Sequence, residues 1–287
     1  MQQQTDGFIN KIFFADSRNM KEIPCASVQL IVTSPPYFNV KDYSKDGYQK
    51  IKKADSADGQ IGDINDYSIY INELLSVWKE CYRVLKPNGK IAINTPLMPM
   101  LKDKLNTHYN RHIFDIDSDI KASILQNTKF YLLDVFIWNR INPSKGVMFG
   151  SYPYPRNFYA QNTCEFISVY VKDGKPDNNI TKEIKEKSKL TQEEWLLFTK
   201  QIWDIPIPNK KDLGFGKHSA LMPEEIARRC IKLYTFINDI VLDPFTGSGT
   251  TLRVAQNENR RYIGYEISTS YQNIINQKLQ PLSVIPW

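Results

Sequence analysis

Short apolar runs alternate along this chain with longer stretches in which apolar residues recur every three or four positions. The runs KIFF (11–14), VQLIVT (28–33), KIAIN (90–94), YLLDVFIW (131–138), FISVYV (166–171), DIVLD (239–243) and RYIGYEI (261–267) are short and rich in β-branched and aromatic residues, which predicts buried strands. Between them, 68–85 places Ile71, Leu74, Leu75, Trp78, Cys81, Tyr82 and Leu85 at helical spacing, and KPNG (86–89) stops the pattern. Residues 223–236, opening on Pro223, Glu224 and Glu225, read as a helix, as do 249–258 and 269–279. This alternation predicts an α/β fold with a doubly wound, mainly parallel sheet covered on both faces. Two lysine-rich polar spans, 38–60 and about 172–216, break the rhythm and read as solvated loops or an insertion.

Composition narrows the picture little. The 287 residues, 41% hydrophobic and 24% charged, suit one large globular domain or one domain with a sizeable insertion. A net charge of +6 is compatible with a polyanionic partner and equally with a solvated basic surface. Cys25, Cys81, Cys164 and Cys230 show no paired spacing, so neither a zinc site nor a disulfide framework is expected, and a reducing cytoplasm fits. The start MQQQTDGF has no signal-peptide pattern, and no apolar run approaches the ~18 residues of a membrane span. His108 and His112 are four apart, but Tyr109 stands where a zincin needs glutamate. DIDSDI (115–120) begins like a calcium loop and fails at Ile120 and Gln126.

Two loops carry chemistry. In IVTSPPYFNVKDY (31–43) a strand runs into two prolines, which fix φ and cannot continue a central strand, so a stiff bend sets Ser34 and Tyr37 at the strand's carboxyl end. Open α/β sheets bind their ligands there. In VLDPFTGSGTT (241–251) a strand ends at Asp243, Gly247 and Gly249 allow a tight turn, and a helix begins near Thr250. No lysine follows Gly249, which rejects a Walker loop, and the third glycine of a dinucleotide fingerprint is missing. A nucleoside site without a pyrophosphate remains. Glu266, about twenty residues on, ends a strand where a carboxylate can accept both ribose hydroxyls.

DPFTGSGTT together with TSPPY resembles the beta-class amino-group DNA methyltransferases that use S-adenosylmethionine. FFADS (13–17), ECYRVLKPNGKIAINTP (80–96), FIWNRINPSKG (136–146) and KHSALMPEEIARRCIKLYT (217–235) are similar to further motifs of that family, in the same order. The family usually has His-Pro where this chain has His218 and Ser219.

The resemblance implies a Rossmann-like methyltransferase fold with a seven-stranded sheet. It places a catalytic half at 1–139, a target-recognition region at 140–216 and a cofactor-binding half at 217–287. It makes Ser34, Pro35, Pro36 and Tyr37 catalytic: the Ser34 hydroxyl and the Pro35 carbonyl accept from an exocyclic amine, and Tyr37 stacks on a base flipped out of the duplex. It assigns the cofactor to Asp16, Thr33, His218, Ser219, Asp243, Pro244, Phe245, Gly247, Gly249, Thr250, Thr251 and Glu266. Asp16 reads equally as a strand-end turn carboxylate. Serine rather than aspartate at position 34 favours cytosine N4 as the target, with adenine N6 the alternative. Lys41, Lys45, Lys145 and Arg156 are candidate contacts to double-stranded DNA, and NPSKGVMFGSYPYPRNFYAQN (142–162) reads either as a DNA-contacting surface or as a rigid wall of the base pocket. Further expected partners are a cognate restriction endonuclease or a second methyltransferase, with the chain a monomer or homodimer. A nucleic-acid-binding module without turnover, or methylation of RNA or protein, stand as alternatives of a different kind.

Overall fold

The computed structural model describes residues 7–38, 59–101, 111–141, 151–158, 160, 162–177, 179–210, 212–215 and 221–280. Its strands are β1 (Lys11–Phe13), β2 (Val28–Thr33), β3 (Leu85–Pro96), β4 (Met98–Leu101), β5 (Arg111–Phe114), β6 (Phe130–Arg140), β7 (Cys164–Lys172), β8 (Ile202–Ile205), β9 (Ile240–Asp243) and β10 (Arg261–Tyr265). Eight of them form one sheet in the order β1-β10-β9-β2-β3-β7-β6-β8, while β4 and β5 make a separate antiparallel ribbon. Within the large sheet β7 alone runs against its neighbours. The helices are α1 (Tyr67–Val84), α2 (Ile116–Asn127), α3 (Lys182–Lys187), α4 (Gln192–Phe198), α5 (Glu224–Tyr234), α6 (Thr250–Asn257) and α7 (Gln272–Leu279).

The sheet is covered on both faces, as the doubly wound reading requires, and its strands split their side chains with a period of two. Ile31, Ile91, Ile93 and Leu242 enter one buried cluster with Leu74, Trp78 and Cys81 of α1 and Ile120 and Ile124 of α2. Their neighbours Leu30, Val32, Ala92 and Val241 enter the other, with Ile226, Cys230 and Ile231 of α5 and Val254 and Ala255 of α6. Helix α1 begins where the Asp66 carboxylate accepts the Ile69 N–H at 2.9 Å. It ends at KPNG, where Asn88 takes a left-handed φ of 61° and β3 has already begun.

Two expectations need correction. The sheet has eight strands rather than seven, and the partly ordered insertion 172–216 is not all loop. That span holds α3, α4 and the eighth strand β8, which pairs in parallel with β6. Fully buried Trp203 stacks on Phe136, with ring centroids 4.4 Å apart, and the Arg229 guanidinium lies 5.3 Å from the Trp203 ring. The alternating exposure of Ile202, Trp203, Asp204 and Ile205 is the strand signature that the surrounding lysines masked.

The acids of DIDSDI are structural. Asp115 caps α2 at the Ser118 N–H, buried Asp117 accepts from Ser168 (2.7 Å) and Lys121 (2.7 Å), and Asp119 accepts from Tyr67 (2.6 Å). His112 lies in β5 with its ring against Phe114, and His108 falls outside the described residues. Among the described residues no cluster of three metal-ligating side chains occurs, and no helix is long and apolar enough to cross a membrane.

Candidate active site

Parallel pairing of β2 with β9 (Leu30↔Val241, Ile31↔Leu242) sets the two informative loops side by side at one edge of the sheet. The Thr33 hydroxyl donates to Asp243 Oδ1 at 2.7 Å, and the Thr251 hydroxyl donates to the Val32 carbonyl at 3.3 Å. The neighbouring parallel strands β10 and β1 bring Glu266 and Asp16 to the same edge, since each lies just past its strand's carboxyl end. This is the edge where an open α/β sheet receives its ligand.

On the β2 side, half-buried Ser34 donates through Oγ to the Asn94 carbonyl (3.3 Å) and lies 2.8 Å from Tyr37 Oη. With its hydrogen on the Asn94 carbonyl and one lone pair receiving the Tyr37 hydroxyl hydrogen, Ser34 Oγ keeps one lone pair as an acceptor. The Tyr70 hydroxyl of α1 donates to the Pro36 carbonyl at 3.0 Å, fixing the Pro-Pro bend from below. Tyr37 is 8% exposed and joins the cluster that also holds Phe38 and Trp78.

On the β9 side, Gly247 (φ 52°) and Gly249 (φ 85°) occupy the left-handed region that favours glycine. A Cβ on Gly249 would come within 3.2 Å of Ile275 Cγ2. The Gly247 N–H donates to Glu266 Oε2 (2.8 Å) and the Ser268 N–H to Oε1 (2.9 Å). Each carboxylate oxygen therefore keeps a lone pair for a further donor, as two ribose hydroxyls require. Burial pushes the Glu266 carboxyl up to about 7, against the pull of the neighbouring backbone N–H groups. Burial likewise raises Asp243 to about 6, opposed by the Thr33 hydroxyl, the Phe245 N–H (3.0 Å) and the Thr251 hydroxyl. Pro244 is buried, and the Phe245 ring meets Trp78 edge-on, with centroids 6.0 Å apart.

Asp16 is already engaged. Burial pushes its carboxyl up, but Arg18, donating through its backbone N–H (2.9 Å) and Nε (2.8 Å), holds it below the usual carboxylate range. Arg18 also pairs with Glu73, so the turn-carboxylate reading has direct structural support. Arg156 sits at φ 83° in the tight loop 151–158, closed by Ser151 N–H to the Asn157 carbonyl (2.8 Å). That loop exposes Tyr152, Tyr154 and Phe158, each more than 70% accessible. Lys41, Lys45, Lys145, His218 and Ser219 lie outside the described residues.

Two groups at this edge escaped the sequence reading. Asn94 donates to Glu165 Oε2 (2.7 Å), and Arg140 lies 3.5 Å from Glu165 Oε1, forming a buried polar wall beside Ser34. Fully buried Lys278 of α7 donates to Ser248 and Thr250 of the glycine turn, 3.0 Å each. No local signal marks either group. A lysine in a polar C-terminal helix reads as a solvated face.

Residues 28–277 match the N6/N4 methyltransferase family model, described as DNA methylase. The type II methyltransferase M.MjaI of Methanocaldococcus jannaschii is 32% identical over 282 residues, covering 94% of this chain and 91% of that protein. TTHA0409 of Thermus thermophilus, solved as a complex with S-adenosyl-L-methionine, superposes with a TM-score of 0.71 at 28% identity, covering 94% of this chain and 93% of that one. The PvuII DNA methyltransferase, at 20% identity and a TM-score of 0.64, covers 96% of this chain and 87% of its own and shares the fold. The turn that leaves two lone pairs on Glu266, joined through Thr33 and Asp243 to the Ser-Pro-Pro-Tyr loop, therefore sits in a chain that belongs to the N6/N4 family of S-adenosylmethionine-dependent DNA methylases.

Proposed function

We propose that this chain methylates the exocyclic N4 of cytosine in double-stranded DNA, on a base turned out of the helix. What supports this reading is the neutral hydroxyl of Ser34, on the loop that the β2–β9 pairing sets beside the glycine turn. An exocyclic amine is a poor nucleophile because its lone pair is delocalised into the ring. Ser34 Oγ and the Pro35 carbonyl accept its two hydrogens, favour the pyramidal nitrogen and stabilise the positive charge that develops there. Tyr37 stacks on the base.

S-adenosylmethionine, when bound, supplies an electrophilic methyl group. Glu266 takes the ribose hydroxyls, and the turn from Asp243 to Thr251, with Thr33 beneath it, takes the remainder. His218 and Ser219 close over the amino-acid tail, and Asp16 stands near the adenine edge. No cysteine adjoins the proline pair, which suits direct transfer without a covalent enzyme intermediate. In this reading 1–139 is the catalytic half, 217–287 the cofactor half and 140–216 the DNA-recognition region, with Arg156, Lys145, Lys41 and Lys45 on phosphates. The relatives named as type II methyltransferases support a place in a restriction-modification system, in partnership with a cognate endonuclease.

Mass spectrometry of nucleosides from duplex DNA treated with the protein and S-adenosylmethionine tests the target. N4-methylcytosine is the expected product; N6-methyladenine alone would transfer the activity to the other base, and an unmodified duplex would return the chain to a binding role.

A further inference from the structure

Lys278 is fully buried, and its ammonium has three partners: Ser248 Oγ at 3.0 Å, Thr250 Oγ1 at 3.0 Å and Asp212 Oδ1 at 3.1 Å. The same Asp212 oxygen accepts the Gly214 N–H at 2.7 Å, so the aspartate is held from its own turn. Helix stability does not explain a cation here. The ammonium lies against the first turn of α6, whose positive dipole end disfavours it, and a methionine would fill the space without a buried charge.

What the ammonium does explain is the orientation of two hydroxyls. Lysine donates and cannot accept, so Ser248 and Thr250 each give it a lone pair and their own hydrogens point away. Ser248 and Thr250 are 3% and 6% exposed, and among the described residues the sole partner for those hydrogens is the other hydroxyl at 3.5 Å, the limit of a hydrogen bond. The turn thus presents oriented O–H donors one and three residues beyond the Gly247 N–H that fixes Glu266.

We propose that Lys278 is a positioning residue that turns Ser248 and Thr250 into donors for the carboxylate of the cofactor's amino-acid tail. This rests on the placement of S-adenosylmethionine in the glycine turn, and it is independent of which base is methylated. Asp212 neutralises the ammonium, so the anion is recognised by directed hydrogen bonds rather than by an unpaired charge.

Dissociation constants for S-adenosylmethionine and for decarboxylated S-adenosylmethionine, which keeps the ammonium and sulfonium, test this in the full chain. The wild type should prefer the carboxylate-bearing ligand by about tenfold or more. Lys278→Met should erase most of that preference while binding of the decarboxylated ligand stays within about twofold, and Lys278→Arg should restore part of it. A merely structural lysine would weaken both ligands in parallel, and that result overturns the proposal. Should Lys278→Met fail to fold, Ser248→Ala and Thr250→Val are read beside Lys278→Arg: an unchanged preference in the hydroxyl variants overturns the proposal, and its loss there together with a reduced preference in Lys278→Arg supports it. A wild type that binds neither ligand would overturn the cofactor placement itself.

Discussion

Thr33 and Asp243, 210 positions apart in the chain, share a hydrogen bond of 2.7 Å between two adjacent parallel strands. It joins the loop expected to hold the amine to the loop expected to hold the cofactor. Both groups are buried, so removing the donor leaves a buried carboxyl short of a partner. Thr33→Val is expected to cost about 1–3 kcal/mol of stability and to weaken S-adenosylmethionine binding, while Thr33→Ser retains both. Thermal denaturation and cofactor titration of the two variants check this.

The two loops should fail differently. Ser34→Ala removes an acceptor from the reacting nitrogen and is expected to lower kcat about 10²–10³-fold with cofactor affinity nearly unchanged. Gly249→Ala forces a Cβ into the left-handed region and to within 3.2 Å of Ile275, so cofactor binding should fall first. Equal losses of both properties in both variants would remove this division of labour.

Glu266 predicts a dependence on pH. Burial raises its folded-state pKa from the ordinary 4.5 to about 7, so between those values the folded chain holds a proton that the unfolded chain releases. Its contribution to stability is therefore greatest below about 4.5 and declines as pH rises through 7, by roughly 3 kcal/mol in all. Ribose hydroxyls are better received by the carboxylate, so cofactor affinity should rise between about pH 6 and 8 while stability falls. Glu266→Gln should flatten both trends, measured by denaturant unfolding and by titration across that range.

Arg156 and the aromatics around it lie on the 151–158 loop, between β6 and β7. If Arg156 meets a phosphate, Arg156→Ala should weaken binding to any duplex and reduce the slope of log K against log salt by about one, with cofactor affinity unchanged. An unaltered slope would assign the loop to the pocket wall.

Features fixed by covalent geometry were legible before any coordinates. Pro35 and Pro36 must break β2, and Gly247 and Gly249 must allow the turn. Features fixed by tertiary contact were not. Glu165, Arg140 and Lys278 look like ordinary charged residues until the sheet brings them against Asn94 and the glycine turn. Trp203 and Ile205 were hidden because lysines crowd the segment and a four-residue strand leaves little period to detect. Helix α2 is hidden for a different reason: DIDSDI begins like a calcium loop, while Asp115 followed by Asp117 and Asp119 is equally the signature of a helix start.

The strand order β1-β10-β9-β2 has a consequence for biosynthesis. Among the described strands β1 and β2 are not neighbours, because β9 and β10, which come far later in the sequence, lie between them. Until β9 and β10 have been made, β1 lacks its mate and β2 offers a bare rim, so the nascent chain carries unpaired sheet edges over a long stretch of synthesis. Only the pairing of β2 with β9 brings the Ser34 loop and the glycine turn together, so the site waits on contacts between segments far apart in the chain.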